Sequence, residues 1–373
     1  MTNPKPKATI TSTAPVPKAG ILSIHSHMLG PSDQSSQQDR IDVSSNESAF
    51  GPSPLAREAA QHAGHQMERY SIDGPERLSA AIGATFGLDP AKIACGHGSD
   101  DLLARLARAY LSDGDELIHS RHGYQKFPNY AYANNAVPIA AKDQNFRADV
   151  GRILDSVTEA TRMVMLANPD NPTGTHLSGA EVRELHDKLP RHVVLVLDSA
   201  YCEYADAADY EDPVSLIDEN RNVVMTRTFS KIFGLAGLRI GWLYGPAEMV
   251  DVVKRIGLTF PLSNMAVAAG VAASTDREHC DFVRQETARI KEAFAEHLAG
   301  LGVETYPSQT NFLLANFSTA PLAASQINER LEAAGILARR MAAPAFNDCL
   351  RITIGTAEEM ERVARELSAI LKD

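Results

Sequence analysis

The chain has no C-x-x-C cysteine pair, no apolar run of about 18 residues and no excess of basic residues, and each lack closes off a class of function. Its four cysteines, Cys95, Cys202, Cys280 and Cys349, are widely scattered. They read as reduced, mostly buried thiols, and no metal site is expected of them. Lys and Arg number 36 against 47 Asp and Glu, a formal charge of −11, which argues against a nucleic-acid or anionic-membrane partner. No repeat of 20 to 50 residues stands out. The first 30 residues carry lysines and no acidic residue, as import leaders do, but they lack arginine and an amphipathic pattern. A soluble cytoplasmic protein is expected.

What is present suits an enzyme of two lobes. The 373 residues are 44% hydrophobic and 22% charged, ordinary usage for a chain that buries a large core. Residues 1–19 and 31–40 are polar and read as mobile, with the more apolar GILSIHSHMLG between them. From about 76 to 270, short β-rich runs alternate with helical patterns, the order of a mostly parallel sheet with helices on both faces. Strands are expected at 116–119, 163–167, 193–197, 223–226 and 239–244. The run VVLVL lacks polar alternation, as a strand buried on both faces requires. Beyond about 270 come long charged helices, strands at 311–316 and 350–354, and a helix at 324–334, a smaller α+β lobe. The domains expected are 1–62, a tail, arm and start of the small domain; 63–268, the large domain; and 269–373, the small C-terminal domain.

Three of the expected strands end in residues that carry chemistry. After MVMLA come Asn168, Pro169, Asp170, Asn171, Pro172, Thr173 and Gly174, a rigid reversal at the strand edge where open α/β sheets place ligands. Next, 193–197 runs into Asp198, with Tyr201 three residues on. A carboxylate leaving a buried strand is costly unless a cation meets it; read blandly, Asp198 is a helix N-cap. Then 223–226 leads to Ser230 and Lys231, with Arg239 eight residues later. A lysine among small and apolar residues is one whose amine loses basicity and becomes a nucleophile, although a lone lysine is more often a solvated one. Upstream, Gly98, Ser99 and Asp100 open the helical pattern LLARLARAYL, where free N–H groups suit a phosphate and an ordinary cap is the plain alternative.

An amine, an acid, hydrogen-bond donors and a phosphate turn are what pyridoxal 5′-phosphate needs. The joint pattern resembles the fold-type I pyridoxal-phosphate enzymes, the class I/II aminotransferases of the aspartate aminotransferase superfamily, from about residue 20 to the C-terminus. The resemblance implies a large domain with a mostly parallel seven-stranded sheet flanked by helices and a smaller α+β domain. It implies that Lys231 forms the Schiff base, that Asp198 pairs with the ring nitrogen, and that Asn171 and Tyr201 contact the 3′-oxygen. By the same likeness Gly98, Ser99, Asp100, Ser230 and Arg239 hold the phosphate and Tyr124 stacks on the ring. Tyr70 would reach the phosphate of a second subunit, in a homodimer with shared sites.

Within the superfamily, Ser45, Asn46 and Glu47, the turn GHGSDD, and the strings AGLRIGW and CLRITIG are similar to the histidinol-phosphate aminotransferases. That likeness implies an amino transfer from L-histidinol phosphate to 2-oxoglutarate, giving imidazole acetol phosphate and glutamate by a ping-pong route. Arg351 would bind the substrate carboxylate and Arg339 a second anion, with adjacent Arg340 as the competing choice. Asn46 and His27 would lie beside the substrate. Ser26 and His27 stand where the subgroup's arm usually carries Pro-Tyr, and TFPLSN departs from its Pro-Phe-Asn-Val-Asn. An aromatic or other amino-acid aminotransferase therefore stays open, as do decarboxylases and lyases of the same fold.

Overall fold

The computed structural model describes residues 15–24 and 40–372. Its strands, in chain order, are β1 (Ile41–Asp42), β2 (Ile93–Gly96), β3 (Glu116–Ser120), β4 (Val137–Ala141), β5 (Thr161–Ala167), β6 (Val194–Asp198), β7 (Val223–Thr228) and β8 (Gly241–Tyr244), then β9 (Glu304–Thr305), β10 (Phe312–Asn316), β11 (Ile336–Leu337), β12 (Arg339–Arg340) and β13 (Cys349–Thr353). Seven of them form one sheet in the order β2-β8-β7-β6-β5-β3-β4. Strand β8 is antiparallel to both neighbours and every other pairing in the sheet is parallel.

Every residue of β6 is buried, as expected of an apolar strand covered on both faces. Side chains from alternate positions feed two separate cores: Leu195 and Leu197 belong to one, Val194 and Val196 to the other. Strands β2 and β4 escape the sequence pattern for physical reasons. The first is four residues ending in glycine, and the second is a part-exposed edge carrying Pro138.

The smaller lobe has its own antiparallel sheet, β12-β13-β10-β9. Helices Arg277–Gly300, Ala324–Ala333 and Ala357–Lys372 supply Phe294, Ile327, Leu331, Val363 and Leu367 to its core. The chain enters this lobe early, because β1 pairs in parallel with β11. The division expected at 268 falls inside helix Asn264–Thr275. That helix packs on helices Pro54–Ala63 and Gly74–Phe86, and its Ala269 and Ala273 share a core with Leu78 and Ile82. This helix therefore packs with elements of the large lobe along its whole length. Helix Pro54–Ala63 likewise lies against the large lobe instead of the small one.

Candidate active site

Parallel register brings three strand ends together. Ala167, last in β5, lies opposite Asp198, last in β6, and Asp198 lies opposite Thr226 in β7. Asp198 is buried, and its Oδ1 accepts a hydrogen bond from Thr226 Oγ1 at 3.0 Å. Burial pushes its pKa up to about 7, which marks a carboxyl short of a cationic neighbour. Lys231 follows β7 and donates to the Ser45 carbonyl at 3.4 Å. Its Nζ stands 5.6 Å from the Tyr201 ring centre. Burial, helped by the Arg351 charge, pulls this ammonium down to about 8.

These groups border one cavity of about 150 Å³, lined by Ser99, Asp100, Tyr124, Asn171, Asp198, Tyr201, Ser230, Lys231 and Arg239 with Ala167, Ala200 and Thr228. A larger cavity of about 1050 Å³, near His122, Phe146 and Tyr306, contains none of the nine. We assign the chemistry to the smaller one, where an amine and an acid face a common space.

One end of the cavity is built for an anion. Gly98 precedes helix Ser99–Tyr110 with φ +82°, and a Cβ on it would come within 2.7 Å of Arg239 Nη2. A Cβ on Gly241 would come within 2.3 Å of the Ser99 nitrogen. Two glycines thus let a guanidinium and a helix N-terminus meet. Arg239 Nη1 also donates to Ser230 Oγ at 3.1 Å. Arg239 itself has φ +53°, so it precedes β8 instead of opening the strand as its sequence suggested.

The Asp100 carboxylate accepts from Lys126 Nζ at 2.5 Å, Tyr130 OH at 2.8 Å and Tyr124 OH at 3.2 Å. Burial works to raise its pKa, but the Lys126 ammonium and the two phenols outweigh it and hold the group below its ordinary value. The Asp100 charge is thus met by Lys126, and its carboxylate ties the Tyr130 and Tyr124 phenols together.

The small lobe and the strap 44–47 lie behind the lining residues Asn171, Tyr201 and Lys231 and hydrogen-bond to them. Arg351 is buried, donates to Asn171 Oδ1 and to the Ser44 carbonyl, each at 2.6 Å, and lies 5.3 Å above the Phe312 ring. Its Nε has no partner. Burial pulls its pKa down to about 10, partly offset by Tyr201. Arg339 is paired across from Arg351 in the β12–β13 ladder, so the two share a face and Arg340 takes the other, exposed one. Asn46 is buried between Tyr201 and Thr353. Tyr70 lies away from the cavity, 73% exposed and stacked on Phe260 at 4.2 Å. His27 lies outside the described residues. Thr226, Asn311 and Phe312 also contact these groups, and no motif in the chain singles them out; Thr353 lies within CLRITIG, but nothing in that string shows that it reaches Asn46.

Residues 38–367 match the model of the family described as aminotransferase class I and II. The chain belongs to that family. Among curated relatives of this aminotransferase-family chain, the histidinol-phosphate aminotransferase of Rhodospirillum centenum (strain ATCC 51521 / SW) is 44% identical over 96% of this chain and 99% of its own. That of Granulibacter bethesdensis (strain ATCC BAA-1260 / CGDNIH1) is 42% identical over 96% of each. Among solved structures, the Sinorhizobium meliloti histidinol-phosphate aminotransferase in complex with pyridoxal-5′-phosphate superposes with a TM-score of 0.84 at 31% identity, covering 89% of this chain and 91% of that one. The large seven-stranded sheet with its smaller α+β lobe is the architecture expected from the resemblance.

Proposed function

We propose that this chain is a pyridoxal-phosphate-dependent aminotransferase that moves the amino group of L-histidinol phosphate to 2-oxoglutarate in two alternating half-reactions. The observation that carries the reading is the meeting of Lys231 and Asp198 at one cavity whose far end is an anion cradle. The residues fit the coenzyme. A buried carboxyl raised to about 7 gains a partner in a pyridinium N–H, and the glycine-lined turn accepts a phosphate. When bound, the coenzyme supplies an aldehyde for amine exchange and a ring that accepts electron density from the substrate Cα.

On this reading Lys231 holds the aldehyde carbon and Asp198 keeps the ring nitrogen protonated. Tyr201 and Asn171 donate to the 3′-oxygen; Asn171 spends its amide oxygen on Arg351, which leaves its nitrogen for that task. Gly98, Ser99 and Asp100 offer backbone N–H groups to the phosphate, alongside Ser230 and Arg239, while Tyr124 covers the ring face. With coenzyme and substrate bound, the Lys231 amine would be the base that takes the substrate Cα proton and gives it back. A pKa lowered to about 8 leaves that amine able to hold and release a proton near neutrality.

Histidinol phosphate has no carboxylate, whereas 2-oxoglutarate has two. One anion site must therefore serve both half-reactions, and Arg339 beside Arg351 offers two guanidiniums on one face for either. The names of the curated relatives support the same donor. We further propose a homodimer. Tyr70 and Phe260 stand with Met67, Ile72 and Leu258 as exposed apolar side chains, a surface suited to a second copy whose phosphate site Tyr70 would reach. Sedimentation of the holoenzyme gives twice the chain mass if so. To test the substrate, the coenzyme-loaded protein is mixed with histidinol phosphate and with aromatic amino acids, and loss of its visible absorbance is timed. Histidinol phosphate is expected to be fastest, and faster conversion by an aromatic amino acid would displace it as the substrate.

A further inference from the structure

Asn46 sits in the strap 44–47 with its backbone in the left-handed region, φ +55°, and is 1% exposed. Three bonds hold it there. Asn311 Nδ2 donates to the Asn46 carbonyl at 3.2 Å, the Asn46 backbone N–H donates to Thr353 Oγ1 at 3.0 Å, and Asn46 Nδ2 donates to Tyr201 OH at 2.9 Å. The remaining amide atom, Oδ1, lies 3.1 Å from Thr353 Oγ1.

These contacts decide which way the amide faces. Thr353 has one hydroxyl proton and already accepts from the Asn46 backbone, so that proton goes to Oδ1. Turning the amide over would strand the Thr353 proton in a buried place and make Tyr201 spend its own proton on Asn46. In the orientation present, the phenol oxygen accepts and the phenol proton is left over. Tyr201 borders the cavity, so that proton has the cavity to donate into.

We infer that Asn46 is a positioning residue that acts through Tyr201: by donating to the phenol oxygen it aims the phenol proton at the ligand, and Thr353 locks the amide that does so. The inference rests on the cofactor reading above and deepens it, since the atom receiving that proton would be the 3′-oxygen. Any donor to that oxygen stabilises its negative charge when the neighbouring imine nitrogen gives up its proton, and so lowers the pH at which the bound coenzyme changes its visible absorbance. Weakening the donor raises that midpoint.

The experiment is a pH titration of visible absorbance on the coenzyme-loaded protein, with no turnover involved. Asn46→Gly removes the amide while tolerating the left-handed backbone. Thr353→Val keeps the shape of the side chain but releases the amide, and Thr353→Ser restores the hydroxyl. Both losses are expected to raise the midpoint by about half to one unit, less than Tyr201→Phe does, and Thr353→Ser to return it to the wild-type value. In a Tyr201→Phe background neither loss adds a further shift. An unmoved midpoint in Asn46→Gly, or the same rise in the Tyr201→Phe background, overturns the inference. A wild-type protein that binds coenzyme without any visible band overturns the cofactor reading instead.

Discussion

Arg339 and Arg351 face each other across the β12–β13 ladder, like charges side by side with no carboxylate hydrogen-bonded to either among the described residues. Such a pair is unfavourable until an anion arrives between its members. On the proposed reading that cost would be returned when a substrate anion binds between them.

Replacing Arg339 therefore acts on affinity. Arg339→Ala is expected to raise KM for histidinol phosphate and for 2-oxoglutarate about 10- to 100-fold with a smaller change in kcat, the loss of one charge-assisted contact. Arg340→Ala, on the exposed face, is expected to change either value by no more than about twofold. Steady-state kinetics of the two variants separates the adjacent arginines.

Asp198→Asn tests the ring partner. Opposite unit charges about 4 Å apart at an effective dielectric of 20 attract by about 4 kcal/mol, or about three pK units of ring-nitrogen basicity. The variant is expected to bind coenzyme, remain coloured and lose about 10³-fold in kcat. A loss under tenfold, read in the same assay, contradicts the role.

The cofactor-free protein carries a pH signature of the acid and the amine that border the cavity. Asp198, raised from 3.8 to about 7, makes the fold lose stability as pH rises through that interval. Lys231, lowered from 10.5 to about 8, contributes stability that is present above 10.5 and lost as pH falls to 8. Both costs are in force together between about 7 and 8. Lys231→Met without coenzyme is expected to melt a few degrees above the wild type there, with the gain fading as pH approaches 10.5. Thermal melts across that range check the sign.

The Asp100 cluster governs how Tyr124 is held. Tyr130→Phe and Lys126→Ala each remove one donor to Asp100 and leave Tyr124 less well fixed. Each is expected to weaken coenzyme affinity by about 3- to 10-fold, read by equilibrium titration of the cofactor-free protein.

How much of this the chain discloses before folding depends on the distance over which each feature is decided. Asp198, Lys231 and the turn at Asn171 are legible because each directly follows its own apolar strand, and parallel pairing places strand ends side by side. Gly98 through Asp100 are legible for a similar local reason. The choice between Arg339 and Arg340 is not, because it hangs on β12–β13 register, and a shift of one residue would exchange their faces. Asn46 is picked out by its string Ser45-Asn46-Glu47, but that Thr353, 307 positions away, fixes its amide is not legible. The packing of helix Asn264–Thr275, inside which position 268 falls, is not legible either, because the helix is alanine-rich and apolar nearly all round, so its sequence does not say which elements it packs on. The sequence offers Asp100 to the phosphate only through the N–H groups at the start of its helix; where its carboxylate goes, toward Lys126, Tyr130 and Tyr124, is decided by the folded chain.

The central claim is that one amine, at Lys231, carries the coenzyme. Borohydride reduction of the coenzyme-loaded protein, followed by digestion and mass spectrometry, is expected to find the reduced pyridoxyl phosphate group on the peptide containing Lys231 and on no other. A label fixed to a different lysine, or a loaded protein that yields none, contradicts the account.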